Sequence, residues 1–264
     1  MGEENPTVVA NGNLTVSVYQ IEKTPFEAFT RTAASEACAR LNFAVYTLDG
    51  TRVKQINQTS DAADFGNVSF NIEKGTYQLV VVGHSSSGNP TMTDPNKIQF
   101  TNALGYTDTF LYYGQVTVGD DPLDKQVTLD RIVSPCRFII NDDFPSDVKQ
   151  MKFHYTGGSG AFDAATGFGC VNSKQEVKVD ASAAQKQFDL YTFLHDTEGT
   201  IHLTVTALDA SGSDLYSREY DVEMEQNYIT KLTVDFFNRT TSSSTTISAV
   251  TVNTTWAGER TVSY

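Results

Sequence analysis

The sequence predicts an all-β chain built from two β-sandwich-sized units in tandem. Three observations lead there. Apolar residues recur at every second position, as in Leu14, Val16 and Val18 against Thr15, Ser17 and Tyr19, which is the spacing of a strand with one buried face. A similar order of strands and turns runs twice, with a period of roughly 100–120 residues, an ordinary sandwich size. Between the two runs lies the stretch 129–160, which reads as strand, acidic Pro turn (Asn141-Asp-Asp-Phe-Pro145), strand and Gly turn (Gly157-Gly-Ser-Gly160). We therefore expect an N-terminal unit over 1–131 and a C-terminal unit over 132–264.

In the first unit, the strand around Leu14–Val18 is followed by a weakly patterned stretch, 24–35, that suits a short helix or a crossing loop. Strand 41–47 leads through Asp49-Gly50, a hairpin signal, into 51–56. Strand 68–72 precedes Lys74-Gly75 and the run Thr76-Tyr-Gln-Leu-Val-Val-Val82. That run is apolar on both faces, which predicts a central strand. A Ser/Gly/Pro loop covers 84–94, and strands 110–118 and 126–129 finish the unit.

The second unit repeats the programme with strands 137–141, 148–155 and 188–194. Glu198-Gly199 then stands before Thr200–Ala207 as Lys74-Gly75 stands before Thr76–Val82. Strands 215–224 and 228–236 form a terminal pair. After Phe237 comes a Ser/Thr-rich tether, 238–246, polar and flexible by composition. A last strand follows at 247–256. Placed after a tether, it can close its own sandwich or pair with another subunit. Its apolar residues Ile247, Val250, Val252 and Trp256 are the candidate subunit-interaction residues.

Composition narrows the function classes. Aromatic residues make up 11% and apolar residues 39% of the 264 positions, so the chain can bury a core. The net charge of −13 repels phosphate backbones and argues against nucleic acid as a partner. No run of about 18 apolar residues is present to span a membrane as a helix. Cys38, Cys136 and Cys170 are odd in number and form no Cys-x-x-Cys. Zinc is therefore not expected, and buried free thiols are.

The candidate catalytic motifs fail on local grounds. Gly83-His-Ser-Ser-Ser-Gly88 has Ser87 where a nucleophile elbow needs its second Gly, and no helix follows. His84, His154, His195 and His202 stand singly. Asp120-Asp121, Asp124 and Asn141-Asp142-Asp143 are paired carboxylates, but the spacing of a calcium loop is missing and turns recruit Asp for its backbone bonds. Gly157–Gly160 lacks the Lys-Ser/Thr and helix of a phosphate loop. We expect no catalytic residue, no cofactor and no metal. A hydrolase built from scattered carboxylates is the weakest reading.

Two stretches carry a resemblance to a family. Glu73-Lys-Gly-Thr-Tyr-Gln-Leu-Val-Val-Val82 is similar to the G-x-Y-x-L-x-V strand of transthyretin-like sandwiches. Thr109-Phe-Leu111 leading to Leu129-x-Arg131, then Pro135 to Thr156 with Phe162-Asp-x-x-Thr-Gly167, resembles the inter-domain junction of the fimbrillin-A-associated anchor family of Bacteroidetes type V pili. The likeness covers roughly 38–256. One departure is Ser134-Pro135-Cys136, where that family more often shows small and basic residues, which leaves strand pairing there open.

The resemblance implies two tandem transthyretin-like, Greek-key sandwiches and a non-enzymatic surface protein, a fimbrial anchor or an accessory or tip subunit. It implies other fimbrial subunits as partners, joined by donation of a β-strand. It also implies a signal peptide and a lipid-anchored cysteine upstream of Met1, and hence a place on the outer membrane. A second reading is a surface module that binds carbohydrate or a host protein. It would use an aromatic platform of Tyr106, Tyr112, Tyr113 and Trp256, although the tyrosines also suit core or cross-strand positions.

Overall fold

A computed structural model describes residues 12–22, 37–182, 185–238, 248–251 and 258–263. Eighteen strands are the elements of these residues. The first half holds β1 (Leu14–Glu22), β2 (Arg40–Tyr46), β3 (Arg52–Thr59), β4 (Asn67–Phe70), β5 (Gly75–His84), β6 (Ile98–Gln99), β7 (Thr109–Val118) and β8 (Leu123–Arg131). The second half holds β9 (Ser134–Ile140), β10 (Gln150–Thr156), β11 (Ala161–Phe162), β12 (Gln175–Asp180), β13 (Gln187–Thr192), β14 (Glu198–Leu208), β15 (Asp214–Glu225), β16 (Tyr228–Val234), β17 (Ser248–Thr251) and β18 (Gly258–Ser263).

In the first half one sheet runs β3-β2-β5-β7-β8-β1-β4. Its β7 and β8 pair only at Phe110–Arg131 and Leu111–Asp130. The sheet folds over at that corner, so that β8-β1-β4 faces β3-β2-β5-β7 across a core of Leu14, Val16, Phe43, Leu79, Val81, Phe110 and Leu129. The second half repeats the pairing in two separate sheets, β12-β10-β14-β15 and β13-β9-β16-β18-β17. Here β9 pairs with β13 antiparallel and with β16 parallel, as β1 pairs with β4 and β8. The two halves are thus tandem transthyretin-like sandwiches that share one strand plan. Phe138, Phe153, Phe188 and Phe236 fill the second core in edge-on and tilted contacts, the geometry aromatic quadrupoles favour.

A third core lies between the halves. Ala44, Tyr46, Val80 and Val82 turn away from the first core and pack with Phe100, Ile132, Val133, Phe162, Phe193 and Ile229. This explains why β5 is apolar on both faces: Leu79 and Val81 serve its own sandwich, Val80 and Val82 the join. Beyond the 84–94 loop, in a stretch the sequence reading left unassigned, lies β6, which pairs with β11 of the other half at Ile98–Phe162 and Gln99–Ala161.

Other expectations shift. Glu198 and Gly199 are not a turn but the first residues of β14, and the bend is at His195–Thr197. β15 and β16 are not paired with each other. They lie in different layers, joined through Gln226 and Asn227, the latter left-handed at φ 62°, a conformation Asn tolerates better than most residues. Pro135 fits because it is the second residue of β9 and the ladder to β16 begins only at Cys136, so its missing N–H costs no bond there. Residues 24–35 lie outside the described residues.

Candidate subunit-interaction edge

β16 is the strand from which the C-terminal segment departs and to which it returns. Thr230, Leu232 and Val234 alternate into the second half and are buried. One edge of β16 runs parallel to β9 from Thr230–Cys136 to Val234–Ile140. The other runs parallel to β18 from Tyr228–Gly258 to Thr233–Ser263. Parallel neighbours need a long return, and the chain makes it with a hairpin: β17 runs antiparallel to β18 from Ser248–Val262 to Thr251–Glu259. The inner strand of the hairpin is β18, and β17 is left on the rim of the sheet.

Of the expected interaction residues, Val250 lies in β17 opposite Arg260. Ile247, Val252 and Trp256 lie outside the described residues. The backbone contact with β16 is made by β18, which the sequence reading did not anticipate.

The departure point is pinned by Asp142. Its Oδ1 accepts the N–H of Phe236 at 3.0 Å, and its Oδ2 accepts those of Phe237 at 2.6 Å and Asn238 at 2.7 Å. The β9–β16 ladder ends at Val234, so these three amides follow the last strand bond and the carboxylate takes them over. Charge-assisted bonds of this kind are among the stronger ones in proteins. Phe236 and Phe237 pack against each other and against Phe138, Phe144 and Tyr216. The tether therefore begins from a fixed root. The turn reading of Asn141-Asp142-Asp143 caught the taste of Asp for backbone amides but not the location of these amides, which belong to a strand far along the chain. Asp143 instead pairs with Lys186 at 2.8 Å, and that contact holds its carboxyl below the usual carboxylate range.

The remaining sequence candidates are structural. His84 is buried. Its Nδ1 accepts the Ser86 backbone N–H at 3.1 Å, and its Nε2 faces the Asn42 Oδ1 at 2.8 Å, so the ring sits neutral with Nε2 as donor. Burial, helped by the nearby Arg40 charge, pushes its pKa down to about 4. Asp120 pairs with Lys74. Gly157 is left-handed at φ 91°, and a Cβ there would meet the Thr200 carbonyl at 2.2 Å. The glycines thus let the chain pass close to its neighbours on leaving β10. Cys38 and Cys136 are buried, as expected, but Cys170 is exposed, which corrects the reading for that residue.

The aromatic platform does not assemble among the described residues. Tyr112 packs toward the first core, whereas Tyr113 and Tyr106 pack toward the core between the halves. Adjacent strand residues point to opposite faces, so Tyr112 and Tyr113 cannot share one surface. Trp256 lies outside the described residues.

Residues 6–257 match the sequence profile of the family described as Fimbrillin-A associated anchor proteins Mfa1 and Mfa2. Among solved structures, a candidate adhesin from Bacteroides ovatus is similar at 13% identity and a TM-score of 0.47, covering 71% of this chain and 77% of that one. The fimbrial anchor protein Mfa2 from Porphyromonas gingivalis is similar at 13% identity and a TM-score of 0.43, covering 78% and 80%. A fimbrial assembly protein from Parabacteroides distasonis is similar at 15% identity and a TM-score of 0.39, covering 83% and 89%. No curated protein sequence matches the chain. The family match spans nearly the whole sequence, and the chain belongs to the Fimbrillin-A associated anchor protein family.

Proposed function

We propose, with that family membership as premise, that this chain is a non-enzymatic surface subunit of a fimbria, an anchor or accessory component, and that it joins other subunits by exchanging a β-strand. The observation that carries the proposal is the edge of β16. Its outer neighbour, β18, comes from the end of the chain, after a Ser/Thr-rich tether, and is held through six parallel residue pairs. A strand reached through a tether is a replaceable neighbour: the same backbone donors and acceptors can be met by a strand from another subunit. The β17–β18 hairpin, with Val250 on it and Ile247, Val252 and Trp256 beside it in sequence, is the donated element in this reading. Residues 1–131 and 132–264 act as two units of one scaffold.

Attachment to the outer membrane through a lipid on a cysteine upstream of Met1 is the companion proposal. Labelling the full-length precursor with a fatty-acid analogue tests it, since an unlabelled precursor at the surface would end it. For strand exchange, residues 246–264 are deleted in the producing cell. The expected result is a folded subunit that no longer assembles, with pili lost or changed in length. Normal pili from the deleted form would contradict the proposal.

A further inference from the structure

A polar cleft of about 520 Å3 opens where the loop before β7 meets β10 and β12. It is lined by Asn102 and Ala103 of the first half and by His154, Lys174, Glu176 and Lys178 of the second. A smaller hollow of about 200 Å3 shares Asn102 and Lys174 and continues to Tyr106 and Ser173. Hydrogen bonds bridge the two sides of the cleft. Asn102 Oδ1 accepts the Glu176 N–H at 3.0 Å, and its Nδ2 donates to the Lys174 carbonyl at 3.4 Å.

Its charge is opposite to that of the chain. In a protein of net charge −13, two lysines and a histidine share this cleft with one carboxylate. Glu176 lies 3.4 Å from Lys178 and 3.8 Å from His154, while Lys174 has no carboxylate partner among the described residues. Around these cations stand the side-chain amide of Asn102, the hydroxyl of Ser173 and the half-buried ring of Tyr106.

We propose that this cleft binds an acidic saccharide, a pyranose carrying a carboxylate. Lys174 takes the carboxylate, with Lys178 adding positive charge further along β12; the second Nδ2 hydrogen of Asn102 and the Ser173 hydroxyl, whose oxygen already accepts the Gly160 N–H at 2.7 Å, meet ring hydroxyls, and Tyr106 supplies an apolar wall. A few placed polar groups beside one aromatic face suit a ligand of many hydroxyls. An extended acidic peptide suits it less. Such a peptide would add to the free edge of β12, and there the Glu176 N–H is already taken by Asn102. The site lies away from the β16 edge and does not depend on how the C-terminal strand is used.

The test is calorimetric titration of the full chain with trigalacturonate, sialyllactose, neutral maltotriose, inorganic phosphate and a pentaglutamate peptide. One of the two acidic sugars is expected to bind at one site per chain, at least tenfold more tightly than maltotriose, and which of them binds identifies the source of the carboxylate. The double variant Lys174→Ala/Lys178→Ala is expected to weaken that binding at least tenfold with its unfolding temperature unchanged. Failure of both acidic sugars to bind overturns the proposal, as does full binding by the double variant. Phosphate or pentaglutamate binding as tightly as the sugar overturns it too, by showing an unspecific anion site or a peptide site.

Discussion

The two halves share one strand plan and are completed in different ways. In the first, β8 has β1 on one side and meets β7 only at its last two residues. In the second, β16 occupies the corresponding place, and its outer side carries β18 from Tyr228 to Thr233. Their other layers differ as well. β5 is buried on both faces because the second half packs against it, whereas β14 alternates over its first half. The shared plan supplies the sandwich, but each half needs its own finishing element. The first is completed by its sister half, the second by a tethered strand from the chain end. A permanent neighbour suits a scaffold, and a tethered one suits assembly.

The largest expected effect breaks the join. Phe162 is fully buried in the core between the halves and packs on Phe193 at 4.8 Å between ring centroids. Phe162→Ala should cost about 3–5 kcal/mol by transfer and cavity loss. Denaturant unfolding should then show the halves separating, with two transitions in place of one.

Acid should strike the first half next. The pKa of His84 falls from 6.5 to about 4 on folding, so below pH 6.5 the unfolded chain binds a proton that the folded chain does not. Its contribution is complete above pH 6.5 and is lost as pH drops toward 4, a change of about 3 kcal/mol. Stability measured across that window should fall with acid, and His84→Gln should flatten the slope.

Asp142 sharpens the contrast at the root of the tether. Asp142→Ala leaves three backbone amides without their acceptor and should cost about 2 kcal/mol. Hydrogen exchange should quicken first at Phe236–Asn238. In the neighbouring pair Asp143–Lys186 the carboxylate is fully exposed, so water screens the contact and Asp143→Ala should leave stability nearly unchanged. Equal losses from the two aspartates would remove the distinction drawn between them.

Much of the strand plan was legible because period-two burial writes itself into sequence. β1, β2, β5, β7 and β14 each carry four or more apolar residues near an alternating face. β18, Gly-Glu-Arg-Thr-Val-Ser, has one apolar residue and gave no signal; its place depends on backbone bonds to β16, which any sequence can make. β12, Gln-Glu-Val-Lys-Val-Asp, has only two and sits at a sheet edge. The Asp142 contacts were invisible because they join positions far apart, while turn chemistry is read locally. The Asn102–Lys174 cleft exists only once the halves have docked. What the sequence did carry at the site was the Ser/Thr-rich stretch 238–246 itself, which composition alone sets apart from the strands on either side.

The proposed strand exchange has a direct test. The chain ending at Asn238 is prepared, backbone amide exchange is followed at Tyr228–Val234, and a synthetic peptide of residues 246–264 is added. The shortened protein should keep both cores, its β16 should exchange faster than in the full chain, and the peptide should restore that protection from outside. Loss of the whole second sandwich on shortening, or a β16 that the peptide leaves unprotected, would show that β18 is an inseparable part of its own fold.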